Sequence, residues 1–400
     1  MKKYLYFIFF VTLWSCSADK VNVKSEDNSF YSVDLRIIEK TKGTVMSLGD
    51  LMESYEIIRL DNRDEALIKT YPYGVYVTDN YILLRPADVV SPVKLFTRKG
   101  RYVADIGGVG QGPGEYLYLF SWLVDEKENR IYLGPGRTDK VLVYDLKGNY
   151  LPDEVIRFGE IVHKSQIWVD YDKKNVVVVT LPFSANVNSN FAISKNVCWV
   201  QNREGDIVHR IPVNHYGLIG DYSNALVARR NVDAISFSIS EIPMLRTRPD
   251  TLYHYDAVKN IITPCFTKDH VVSENQSVCT VLYETSRSYW AQVTLYPNNL
   301  SSSVSSVRLP AFNVCVSKKD GNVRRIDRFT DPLLGLSHLF LMMNNGYICI
   351  SYDPLELMDA LDKVLTQTDL EPDVRKRATD LRNSLHENDN DILIIGKLKQ

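Results

Sequence analysis

The chain has little from which to build a reactive centre. Its 400 residues include six cysteines and seven histidines, and neither type is clustered. No Cys-x-x-Cys pair serves zinc or disulfide exchange, and no His-Glu-x-x-His serves a metalloprotease. A Walker loop and a Gly-x-Ser-x-Gly elbow are missing too; Gly335-Leu336-Ser337-His338 starts like the elbow and lacks its closing glycine. Charge of one sign is also lacking. Lys plus Arg number 47 against 49 for Asp plus Glu, so no net field points to nucleic acid or an anionic membrane surface as a partner. The short basic clusters, Arg324-Arg325 with Arg328 and Arg246 with Arg248, read as solvated faces or turns.

Long apolar runs are scarce as well. The run from Tyr4 to Leu13 behind Lys2-Lys3 is too short to span a bilayer and has the layout of a secretory signal. It ends Leu13-Trp14-Ser15-Cys16, which resembles the lipobox of bacterial lipoproteins and makes Cys16 the expected lipidated residue, with residues 1–16 as the signal segment. Five cysteines then remain: Cys198, Cys265, Cys279, Cys315 and Cys349. An odd, widely spaced set gives no disulfide framework, and most lie in apolar strand-like runs as small hydrophobes. Residues 17–50, mixed and polar around Ser25-Glu26-Asp27-Asn28-Ser29, read as a tether.

What the chain does have is a repeat. From residue 51 to 400, apolar strands alternate with turns rich in Asp, Asn, Lys and Gly. The turn markers Gly100, Gly148, Gly205, Asn260 and Gly321 follow one another at 48, 57, 55 and 61 residues. Such a period, built from short strands, is the sequence signature of propeller blades, each of which buries its faces only when neighbours stack on it. Five markers leave one blade to be supplied by the chain ends. The hairpin around Asn344-Asn345-Gly346, the strand Asp391 to Lys397 and the strand Tyr55 to Leu60 are expected to form it, closing the ring without open edges.

One stretch carries a family likeness. The hairpin Lys94 to Ile106 runs into Gly107-Gly108-Val109-Gly110-Gln111-Gly112-Pro113-Gly114-Glu115-Tyr116, and this order resembles the six-bladed β-propeller lipoproteins of Gram-negative bacteria. The family's last blade often carries a helical insertion, matched here by helix signals over about 354–386: Asp353-Pro354 with Leu357, Leu361, Val364 and Leu365, then Pro372 with Val374, Ala378, Leu381 and Leu385. Glu387-Asn388-Asp389-Asn390-Asp391 then precedes the closing strand as the family's Glu-x-Asn-like residues do. The expected fold is therefore all-β: a six-bladed propeller closed by strands from both termini, with a short helical insertion near the C-terminus.

Candidate site residues follow from placement rather than from a motif. Gln111, Glu115 and Tyr116 lie on an inter-blade loop, where propellers usually bind ligands. The same residues have a structural reading, in which Glu115 anchors the loop to backbone N–H groups and Tyr116 packs between blades. A phosphate cradle is disfavoured, because an apolar strand rather than a helix follows the glycines and Pro113 lacks a donor. Two functions stay open. The first is a binding module, lipid-anchored in the cell envelope and facing either the periplasm or the surface at the outer membrane. It is expected to be a monomer that meets the membrane through its lipid alone and takes a protein or glycan partner, with no cofactor and no nucleic acid. The second is a metal-dependent hydrolase or lyase with Asp79, Asp125 and Asp170 at the channel mouth, residues that also read as turn formers. A channel lined by aromatic and uncharged polar groups favours the first; converging carboxylates favour the second.

Overall fold

The computed structural model describes residues 30–400 apart from 71, 89, 171–173, 186–192, 220–223, 231–234, 241–249, 270–275 and 298–310. Cys16 thus lies outside the described residues. The chain folds as a six-bladed propeller, each blade an antiparallel sheet running from the central axis outwards. Blade 1 comprises Pro72–Val77, Tyr81–Pro86, Val93–Thr97 and Tyr102–Ile106; blade 2, Leu119–Asp125, Arg130–Pro135, Arg137–Asp145 and Ile156–His163. Blade 3 comprises Gln166–Asp170, Asn175–Val179, Asn196–Asn202 and Ile207–Pro212, and blade 4, Ala225–Arg230, Ile235–Ser240, Thr251–Asp256 and Ile261–Asp269. Blade 5 has Gln276–Glu284, Ser288–Pro297, Ala311–Ser317 and Val323–Thr330.

Blade 6 is shared between the chain ends. Met342–Asn344, Tyr347–Tyr352 and Ile392–Lys397 come from the C-terminal part, and Glu56–Arg59 adds the outermost strand antiparallel to the third. The turn markers all adopt positive φ: Gly100 at 79°, Gly148 at 88°, Gly205 at 100°, Asn260 at 56° and Gly321 at 68°. Each sits in the hairpin between the third and fourth strands of its blade, a conformation that Gly and Asn tolerate best.

Both faces of a blade must be apolar, and the strand Asn175–Val179 shows how period two achieves this. Val176 and Val178 enter the cluster against blade 2, while Val177 and Val179 enter the cluster against blade 4. Among the described residues each of the six blade interfaces has its own apolar cluster.

The N-terminal segment differs from the expected tether. Tyr31–Asp34 pairs in parallel with Phe266–Asp269 on the outer edge of blade 4, and Thr44–Ser47 pairs in parallel with the outer strand of blade 5. Between them the helix Leu35–Lys40 buries Leu35 and Ile38, and the turn of helix Leu48–Leu51 buries Leu48. This part of the chain is a strap around two blades, held because Tyr31, Val33, Leu35, Ile38, Met46 and Leu48 are all buried. A polar average over the segment hides these alternating apolar positions. The C-terminal helices, Pro354–Leu365 and Pro372–Asn383, pack their apolar faces on blade 6 through Leu357, Leu361, Val364 and Ala378. Asp353 caps the first by accepting from Leu355 N at 2.9 Å.

Candidate ligand-binding channel

Six inner strands meeting at an axis leave a cavity of about 680 Å³. Its wall includes Tyr76, Trp122, Gln166, Trp168, Arg229 and Asn344. The volume suits a small ligand or the tip of a larger one.

Where carboxylates reach this cavity they are already engaged. Asp79 accepts from the Tyr347 hydroxyl at 2.7 Å, and Asp125 accepts from Glu128 N at 3.2 Å within its own turn. Glu126 fastens blade 2 to blade 1 by accepting from Asn80 N at 2.8 Å and from Asn80 Nδ2 at 2.6 Å. Asp79 and Asp125 thus both lie at the mouth as turn residues, while Asp170 ends the inner strand of blade 3 outside the cavity wall. The three do not form a metal-ligand group among the described residues. The group found there is His254, Cys265 and Glu284, whose ligand atoms lie within 4.8 Å of one another between blades 4 and 5. Its Glu284 is already paired, with His254 Nε2 at 2.6 Å and Lys318 Nζ at 3.5 Å, and burial pushes the Cys265 thiol above its usual range.

Arg229 has no such pairing. Its Nε is shut off from solvent and has no acceptor among the described residues. The guanidinium lies 5.7 Å from the ring centre of Tyr283, whose buried hydroxyl also lacks a partner there. Burial lowers the Arg229 pKa from its usual value, with the neighbouring Tyr283 acting in the opposite sense. Trp122, which also lines the cavity, has a closed-off donor in its Nε1, whereas Tyr283 lies behind the wall. These closed-off atoms do not themselves face the cavity; what the wall offers a ligand is the rest of the half-buried Arg229 guanidinium, which pairs with no carboxylate among the described residues and so suits an anionic group.

The Gly107–Tyr116 loop is built differently. Its backbone pairs Gly108–Val109 in parallel with Glu115–Tyr116. Glu115 accepts from Gly112 N at 2.7 Å, and Tyr116 is buried, donating to Ile106 O at 2.9 Å and accepting from Val93 N at 2.8 Å. Gly107 has φ 68°, and a Cβ there would stand 2.6 Å from the Tyr144 hydroxyl. Gln111 is exposed at the tip. Glu115 and Tyr116 therefore hold loop and blades together, and the loop lies outside the channel wall.

Arg229, Tyr283 and Trp122 escape a reading by motif because each sits inside an ordinary strand pattern. Arg229 belongs to Ala225–Arg230, and only blade register turns it towards the axis.

Residues 30–397 match the profile of the domain of unknown function DUF4934. No curated protein matches the chain. Among solved structures, a protein of Bacteroides fragilis named as exported is similar over 92% of this chain and 99% of its own, with 16% identity and a TM-score of 0.59. A DUF4221 family member from Bacteroides vulgatus is similar over 87% of this chain and 97% of its own, with 9% identity and a TM-score of 0.47.

Proposed function

This chain belongs to the DUF4934 family, and we propose that it is a lipid-anchored binding module of the cell envelope whose central channel receives an acid-bearing group of a protein or glycan partner. The observation that carries this reading is Arg229, a guanidinium on the cavity wall whose Nε has no acceptor among the described residues. Arg229 is half-buried and pairs with no carboxylate among the described residues, so an incoming anion supplies the counter-charge it lacks.

Two further features support it. The carboxylates at the mouth are tied into turns and blade contacts, while the wall also carries Arg229, Lys397 and Lys399 beside its aromatic and uncharged polar groups. The signal-like N-terminus ending at Cys16, together with a fold-sharing protein named as exported, supports an envelope location. Anchoring is tested by Cys16→Ala, which should release the protein into the soluble envelope fraction; unchanged membrane association contradicts lipidation at that residue. Binding is tested with the soluble chain from Val21 onward on an array of acidic and neutral glycans and acidic peptides. Retention confined to acidic members, and weakened by salt, is the expected result. Equal retention of neutral members contradicts the role given to Arg229.

A further inference from the structure

A second arginine lies behind the channel wall, sharing Trp122 with it, and opens on a surface of its own. Arg85, in the second strand of blade 1, is only 5% exposed. Its guanidinium carbon lies 4.2 Å from the ring centre of Tyr73, 5.0 Å from that of Tyr118 and 5.6 Å from that of Trp122. Among the described residues nothing accepts from it, and its Nη1 is closed off from solvent. The nearby acid, Asp88, is committed elsewhere: it accepts from Val90 N at 2.9 Å, Ser91 N at 2.5 Å and Thr70 Oγ1 at 3.0 Å.

The rings around Arg85 occupy spaces that glycines leave clear. A Cβ on Gly74 would lie 2.0 Å from Trp122 Cζ2, and one on Gly136 would lie 2.8 Å from Tyr118 Cδ1. Gly74 in the first strand of blade 1 and Gly136 in the turn between the second and third strands of blade 2 thus give up side chains so that two rings can close on one cation. Each ring contributes about 0.5–2 kcal/mol of cation–π attraction, but rings supply no acceptor for the guanidinium N–H groups. An aliphatic side chain would fill the same space without that deficit.

We propose that Arg85, Tyr73 and Tyr118 form a binding site for a carboxylated sugar, the carboxylate meeting Arg85 and the pyranose ring stacking on the tyrosines. Tyr73 and Tyr118 are 45% and 41% exposed, with Leu117 beside them at 58%, so aromatic surface next to the cation is open to solvent. A recess of about 10 Å³ bordered by Arg85, Ser91 and Tyr118 has room for one water-sized group such as a carboxylate oxygen. Planar bidentate pairing is what a guanidinium offers a carboxylate. The site shares Trp122 with the channel wall but rests on Arg85, so Arg85→Gln and Arg229→Gln separate the two readings.

The test is calorimetric titration of the chain from Val21 onward with oligomers of galacturonate, glucuronate, mannuronate and sialate, each beside its methyl ester. At least one acid should bind, its neutral ester at least tenfold more weakly, and Arg85→Gln and Tyr118→Ala should each lower the affinity at least tenfold while Arg101→Gln, on an exposed hairpin, leaves it unchanged. Equal binding of acid and ester to the wild-type chain overturns the proposal without any substitution that could disturb folding. So does binding that survives Arg85→Gln, or no binding by any of the four acids.

Discussion

Asn390 holds Asp61 across the seam of the ring: its Nδ2 donates to the Asp61 carbonyl at 2.8 Å, joining positions 329 residues apart. The same amide donates to Ala66 O at 2.9 Å and accepts from Ile68 N at 2.9 Å. One buried side chain thus satisfies three backbone groups where the chain's two ends meet, and a fourth beside it, Asp391 N, at 3.0 Å. Asn390→Ala strands all four and should cost on the order of 3 kcal/mol. Denaturant unfolding measures this; a change within about 0.5 kcal/mol, the range of an ordinary surface substitution, would show that strand pairing alone closes the ring.

The strap gives a second prediction. A chain starting at Ser54 loses the parallel strands Tyr31–Asp34 and Thr44–Ser47 and uncovers the outer strands of blades 4 and 5. It also loses buried Leu35, Ile38, Met46 and Leu48, each worth about 1.5–3 kcal/mol. Free edges beside newly exposed apolar surface favour association, so light scattering should show aggregation on mild warming. A monomer with unchanged melting temperature would make the strap dispensable.

Asp391 sets a pH dependence. Burial raises its pKa from 3.8 to about 7, against a hydrogen bond from Ser351. An acid with a raised folded-state pKa binds its proton more tightly in the folded than in the unfolded chain. Its stabilising contribution is full below the unfolded value of 3.8 and is lost as pH rises to about 7. Asp391→Asn should therefore match wild type near pH 4 and exceed it above about pH 7, by at most about 4 kcal/mol. Parallel stability curves across that range would contradict a raised pKa.

Glu115→Ala removes the acceptor for Gly112 N. Because Glu115 is exposed, the loss should be only about 1 kcal/mol, seen as a slightly lower melting temperature with ligand capture intact. Capture abolished at unchanged melting temperature would instead make Glu115 a ligand contact.

Architecture was more legible than chemistry. The markers from Gly100 to Gly321 each place a positive φ at the same point of a blade, so their spacing reports the repeat directly. Asn390 was legible as part of the family-like run before the closing strand, although its partners across the seam depend on the fold. The strap was missed because its apolar residues alternate within a polar background. Arg229 and Arg85 were missed for another reason: each is an ordinary strand arginine until register turns it towards the channel or under Tyr73 and Tyr118. Local sequence shows neither the burial of a charge nor the absence of its partner.

The most direct measurement of the central claim is equilibrium binding of an array-selected acidic ligand to wild type, Arg229→Gln and Arg101→Gln, with melting temperatures recorded alongside. A channel whose ligand neutralises Arg229 predicts at least a tenfold loss for Arg229→Gln, with no loss for Arg101→Gln. Unchanged affinity in Arg229→Gln would contradict the account.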